Sequence, residues 1–173
     1  MKRNPSAATA LLFAAGMAAT IPAMAVDACL VGTWSPEGNG AAEWVQRQSP
    51  GMKVLVQQEV ATLRLNADGS YSAQARMRME GRAAQVAARS GGSFSAQGGW
   101  SASGDRLTLV PSASRLDGTV DVSAGKAGTR GHRLPSKAAR PTAYQYACGT
   151  GTLETRMRIP GVSDPIVQRY RRQ

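Results

Sequence analysis

The chain is poor in the residues that most enzymes use near neutral pH. It has one histidine, His132, and two cysteines among 173 residues. That excludes zinc sites built from several Cys or His ligands and leaves little that titrates between pH 5 and 8. Aromatic residues make up only 5% of the chain. They are not interleaved with the arginines as a base-stacking surface requires, so nucleic acid is a poor partner. There is no Gly-x-Ser-x-Gly elbow, no phosphate-cradling glycine loop and no His-Glu-x-x-His. The expectation is therefore no enzyme, no metal and no cofactor. The one catalytic alternative is a carboxylate pair drawn from Glu59, Glu80 and Glu154, each of which also falls where an exposed strand residue would fall.

Long apolar runs are lacking too, with one exception at the start. Lys2 and Arg3 are followed by the uncharged stretch Ala7 to Ala19, and Ala23-Met24-Ala25 gives a small-x-small cleavage pattern. That order predicts a secretory signal peptide over residues 1–25, cut after Ala25. The stretch is shorter than the roughly 20 strongly apolar residues of a membrane span and is followed by Pro22. No later stretch could span a membrane, so none is expected in the mature chain. Residues 26–173 are then expected to form one domain in the periplasm or outside the cell. Loss of Lys2 and Arg3 brings the net charge from +10 to +8.

Export gives the cysteines a fate. Cys29 and Cys148 flank the mature chain, and an oxidising compartment favours a disulfide between them. Such a bridge closes a loop worth about 4–5 kcal/mol on the chain-entropy model. The competing fate is lipidation of Cys29, against which Asp27 stands where a lipobox has a small residue.

Alternation with period two dominates what remains. Leu63 and Leu65 alternate with Thr62, Arg64 and Asn66. After the turn Asn66-Ala67-Asp68-Gly69, Tyr71, Ala73, Ala75, Met77 and Met79 alternate with polar residues. Two such runs about an Asp-Gly turn predict an antiparallel hairpin. Further strands are expected at Ala83–Ala88, at Ser93–Ser101, at Arg106–Val110 (stopped by Pro111) and at Thr119–Ser123. Others are expected through Tyr144, Tyr146 and Cys148, through Leu153 to Ile159, and at Ile166–Arg171. One short helix is expected, at Ala41–Gln48. Eight to ten short strands predict an all-β antiparallel sandwich or closed barrel. Residues 125–141, with Lys126, Arg130, Arg133, Lys137 and Arg140 and no acid, read as a flexible basic loop. His132 within it reads as a solvated residue.

Gly32-Thr33-Trp34 early in the mature chain, the hairpin Leu63-x-Leu65-x-x-Asp68-Gly69-x-Tyr71 and a last strand rich in Tyr and Arg together resemble bacterial lipocalin-like (calycin) secreted domains. Cys29 just ahead of Gly-x-Trp, with Tyr146-Ala147-Cys148 and Leu153 following, is similar to one group among them. The resemblance covers about residues 29–171 and implies a lipocalin-like barrel. It further implies that Trp34 plugs one barrel end beneath Arg169 or Arg171, a cation–π contact of about 0.5–2 kcal/mol. The second lipocalin loop motif is not recognisable, and the basic insertion is no part of the pattern.

Two binding roles follow, on opposite sides of the same strands. In the first, Tyr71, Ala73, Ala75, Met77 and Met79 line the barrel and hold a small apolar ligand; the alanines remove bulk and the methionines adapt to varied guests. Those alanines also suit a filled barrel whose walls approach closely. In the second, Arg76 and Arg78 join Arg156 and Arg158 in a cationic patch that docks an acidic protein or an envelope polyanion. Sixteen of the 19 mature basic residues are Arg, which fits bidentate contacts and equally a solvated face.

Overall fold

A computed structural model describes residues 27–51, 53–83, 86–124, 129–134 and 138–173, with side chains at 124, 129 and 130 excepted. The predicted signal peptide lies outside these residues. The elements are β1 (Gly32–Glu37), α1 (Gly40–Gln48), β2 (Lys53–Leu65), β3 (Ser70–Ala83), β4 (Val86–Ser103), β5 (Arg106–Ala124), β6 (Thr129–Arg133), β7 (Thr142–Gly149), β8 (Thr152–Met157) and β9 (Ile166–Arg172).

The sheet runs β4-β3-β2-β1-β9-β8-β7-β5-β6, and a further β4–β5 pairing joins its two sides. Eight strands therefore close into an antiparallel barrel, with β6 outside the ring. The expected all-β barrel with one short helix is what the chain forms.

Local chemistry explains the best-read hairpin. Gly69 takes φ +80°, a conformation glycine adopts without steric cost. Asp68 Oδ1 accepts from the Ser70 backbone N–H at 2.8 Å and from its hydroxyl at 2.6 Å. Those two donors hold the Asp68 carboxyl below its usual range. Cross-strand pairing then sets Leu65 opposite Tyr71, Leu63 opposite Ala73 and Ala61 opposite Ala75.

The strands differ greatly in length. β1, β7, β8 and β9 have 6, 8, 6 and 7 residues, whereas β2, β3, β4 and β5 have 13, 14, 18 and 19. The short strands limit the closed wall to about 20–26 Å at ~3.3 Å per residue. The long ones overshoot the rim as an open sheet, extended at its edge by β6. β5 serves three partners: β4 throughout, β7 through Arg106–Leu109, and β6 through Thr119–Ser123.

Several boundaries differ from expectation. Pro111 does not stop β5; Ser112 is the extra residue of a bulge opposite the Gln97–Gly98 step of β4, and the strand runs on through Thr119–Ser123. Gly98 is required there, since a Cβ would collide with the Val110 carbonyl. Ala83 and Val86 are paired ends of β3 and β4, so Ala83–Ala88 is not one strand. The basic loop 125–141 contains a strand, Thr129–Arg133, which backbone pairing with β5 holds although it has no apolar row; residues 125–128 and 135–137 lie outside the described residues.

One barrel end is sealed. Trp34 and Leu30 are fully buried there with Leu65, Leu107 and Leu153 around them. The Cys29–Cys148 disulfide pins the N-terminal turn to β7, which implies an oxidising compartment. Tyr146 donates to Asp27 Oδ2 at 2.7 Å beside it, and burial together with that carboxylate pushes the phenol up to about 12. At the other end α1 sits on the rim. Asn39 Oδ1 caps it by accepting from Ala42 N–H at 2.9 Å, Gly40 N–H donates to Gln168 Oε1 on β9 at 2.9 Å, and Gln46 Oε1 accepts from Val54 N–H on β2 at 3.0 Å. Among the described residues no helix is long and apolar enough to cross a membrane.

Candidate functional site

Inside the barrel, above the Trp34 seal, is a cavity of about 260 Å³. One wall is built from small side chains of adjacent strands: Ala61 on β2, Ala73 and Ala75 on β3, and Ala96 with Phe94 on β4. Pairing register creates this hollow, because Ala75 stands opposite Ala61 and Ala73 opposite Ala96. The facing wall carries Leu107 and Leu109 of β5, Tyr144 of β7, Thr155 of β8 and Tyr170 of β9.

Tyr71, Tyr144 and Tyr170 bring phenols to this interior. Burial pushes the Tyr170 phenol up to about 12 and raises Tyr144 and Tyr71 as well. All three therefore stay protonated at neutral pH as hydrogen-bonding groups in an otherwise apolar wall. At the rim stand Gln58, Gln168, Thr142 and Arg140. Ala139 N–H donates to the Ser114 hydroxyl at 2.7 Å, which ties the Arg140 segment across the rim. Among the described residues Arg140 is the only charged one lining the cavity.

The predicted lining row divides at the rim. Tyr71, Ala73 and Ala75 line the cavity. Met77 and Met79 do not: they lie on the overshoot of β3 and are 39% and 40% exposed. Alternation continues along a strand whatever stands opposite, so the inward row ran on past the end of the wall. Ala61, Ala96, Tyr144 and Tyr170 were not read as lining residues. Pairing the predicted hairpin in register would have found Ala61, but the others depend on strands far apart in sequence.

The predicted arginine patch is not assembled. β3 and β8 are diametrically opposed, four steps apart either way around the ring, so Arg76 and Arg78 stand across the barrel from Arg156. Arg158 lies beyond the end of β8. Arg78 pairs with Glu59 at 3.0 Å, and Arg156 with Glu154 at 2.7 Å. The carboxylates do not converge either. Glu80 pairs with Arg89, and Glu154 is held below its usual range by Arg156 and Arg169. Among the described residues no group of three or more His, Cys, Asp or Glu could hold a metal ion. His132 is exposed on β6.

The plug is present with a different arginine. Arg172 lies over the Trp34 ring at 4.6 Å from its centroid and donates to the carbonyls of Val31 and Cys29 at 2.7 Å each. Arg169 and Arg171 point outward and pair with Glu154 and Glu37. The inward row of β9 runs through Gln168 and Tyr170 to Arg172, and both rows of that strand are polar enough to hide this. Gly32 leaves room for the guanidinium, since a Cβ there would stand 3.0 Å from Arg172 Nη1. Trp34 Nε1 donates to the Leu30 carbonyl at 2.8 Å.

These features define a closed antiparallel eight-strand barrel, sealed at one end, with a small cavity reached from the other. Compared with known proteins, the chain matches no family model, no curated protein and no solved structure.

Proposed function

We propose that this is a secreted or periplasmic binding protein of lipocalin-like type, cleaved after Ala25, that holds one small, largely apolar ligand in its barrel and catalyses nothing. The observation that carries the reading is the cavity of about 260 Å³. It exceeds the ~150 Å³ that accommodates a benzene and lies just under the ~300 Å³ at which drug-sized sites begin. The ligand is accordingly compact, or it places one segment inside and leaves a polar end at Gln58, Gln168 and Arg140. Among the described residues the wall offers phenols and an Arg for hydrogen bonding but no carboxylate, histidine or thiol, which supports binding rather than chemistry. The disulfide and the sealed end with Arg172 over Trp34 support the compartment and the lipocalin likeness.

N-phenyl-1-naphthylamine, an apolar dye that brightens on leaving water, tests the reading. The exported protein should begin at Val26 and bind one dye per chain. Ala73→Phe or Ala75→Phe should abolish that binding while β-sheet circular dichroism is retained. Arg76→Glu with Arg78→Glu should leave it unchanged. Undiminished dye binding in folded Ala73→Phe protein would overturn the carrier. Docking on an acidic protein or polyanion is the second reading, but the arginines read as its patch are dispersed around the barrel, with Arg78 and Arg156 in ion pairs, and do not favour it.

A further inference from the structure

The cavity is neutral inside and charged only at its mouth. Tyr144 shares a hydrogen bond with Thr142, and Tyr170 with Thr155, so the two phenols of the facing wall already have partners. An ion carried in among them would be buried without a counter-charge, which is strongly unfavourable. At the mouth Gln168 is engaged as well. Its side-chain oxygen accepts from Gly40 N–H, and its amide donates to the Glu37 and Arg169 carbonyls. Arg140 is not engaged in this way. All 11 Asp and Glu of the chain lie among the described residues, and none of them forms an ion pair with Arg140. Its backbone, by contrast, is anchored on both sides. Ala139 N–H donates to the Ser114 hydroxyl at 2.7 Å, and the Thr142 hydroxyl donates to the Arg140 carbonyl at 3.1 Å. The guanidinium is therefore held at the cavity mouth without an acid of its own.

We infer that the ligand is an amphipathic monocarboxylic acid, with its apolar body in the cavity and its carboxylate on Arg140. The inference rests on the carrier reading and specifies what is carried. Three observations select this class. The first is the sign of the charge. A lone cation on an otherwise neutral wall is matched by an anion, and the planar fork of a guanidinium fits a carboxylate with two parallel hydrogen bonds. The net charge of +10 also draws anions toward the chain and repels cations. The second is the amount of charge. Among the described residues the wall has no second cation, so one negative charge is matched, whereas a phosphate monoester carries nearly two. A neutral amphiphile would leave the guanidinium unmatched. The third is size. Scaled from the ~150 Å³ that takes the six carbons of benzene, a cavity of about 260 Å³ holds about ten carbons. Ala73, Ala75, Ala96 and Phe94 offer that body only apolar surface.

Displacement of N-phenyl-1-naphthylamine from the exported protein at pH 8 by decanoate, decanol and decyl phosphate tests the inference. Decanoate should displace the dye, and more tightly than decyl phosphate does. The ratio of decanoate to decanol affinity should fall at least about fivefold in Arg140→Gln, the low end for a charge-assisted pair at a solvent-exposed mouth. It should fall further in Arg140→Glu, whose charge repels the acid. Arg76→Gln removes an exposed arginine on the outer side of β3 and should change the ratio by less than about twofold, as ordinary surface substitutions do. Circular dichroism checks folding, and Arg140→Lys, which keeps the charge but not the fork, should give an intermediate ratio. Decanoate that fails to displace the dye would overturn the inference. So would a ratio indifferent to both Arg140→Gln and Arg140→Glu, an equal fall in Arg76→Gln, or tighter binding of decyl phosphate. In each of these cases dye binding by the wild type leaves the carrier standing. A wild type that binds no dye overturns the carrier and this inference with it.

Discussion

Replacing Arg172 by alanine removes three interactions at once from the sealed end of the barrel. The guanidinium stacks 4.6 Å from the Trp34 centroid, and at an exposed arginine such a contact is worth about 0.5–1 kcal/mol. Its two donations to the Cys29 and Val31 carbonyls are charge-assisted bonds of the class worth about 1.5–3 kcal/mol each, brought down to about 1 each by solvent at an exposed side chain. The expected loss is about 3 kcal/mol, which in a domain of this size lowers Tm by about 6–12 °C. Urea unfolding followed by tryptophan fluorescence reads it directly. Arg171→Ala and Arg169→Ala are the internal comparison. They lie on the same strand but remove exposed ion pairs with Glu37 and Glu154, worth about 0–1 kcal/mol. Arg172→Lys should recover at most about half the loss, because an ammonium cannot present a fork to two carbonyls. The reasoning fails if Arg172→Ala costs under about 1 kcal/mol, or if Arg171→Ala costs as much.

Two further outcomes follow. Cys29 and Cys148 are 119 residues apart, so Cys29→Ser with Cys148→Ser should lower unfolding free energy by about 4–5 kcal/mol on loop entropy; a denaturation midpoint unchanged from wild type would refute that account. Stability should also fall in alkali. Burial holds Tyr170 at about 12, so below pH 10 both folded and unfolded states keep the proton and its contribution is complete. Between pH 10 and 12 the unfolded state ionises first, and roughly 2–3 kcal/mol drains away. Urea midpoints taken across that interval should decline, and Tyr170→Phe should make the decline shallower while Tyr146, also at about 12, sustains part of it; a decline as steep in Tyr170→Phe as in the wild type would reject the assignment.

What the sequence disclosed followed how local each determinant is. The Leu63–Tyr71 hairpin was legible because its turn chemistry and both alternating rows lie within a few residues. Barrel closure was inferable from the number of strands and turns, though not the ring order, which depends on pairings such as β1 with β9. Met77 and Met79 were assigned to the interior because period two gives a side of the sheet and no wall height; that height is set by the short strands β7 to β9. Arg172 was missed in favour of its neighbours because Val167, Arg169 and Arg171 alternate as plausibly as Gln168, Tyr170 and Arg172. The strand within the basic insertion had no hydrophobic row to announce it. Most of the cavity depends on residues contributed by strands distant in sequence.

The first strand of the ring is hydrogen-bonded to the last, and Arg172 meets the Val31 carbonyl across 141 residues of chain. That feature governs how the molecule acquires its shape. A chain growing from its N-terminus can form the β2–β3 and β4–β5 hairpins early, since their partners are adjacent. The outer edge of β1 must wait, bare, until β9 arrives, and the tryptophan seal waits with it. Non-local closure of this kind places the protein among slow folders, and until it happens an unpaired edge and an open apolar trough face solvent together. The positive charge distributed over the other surfaces keeps such half-closed chains apart by mutual repulsion during that interval.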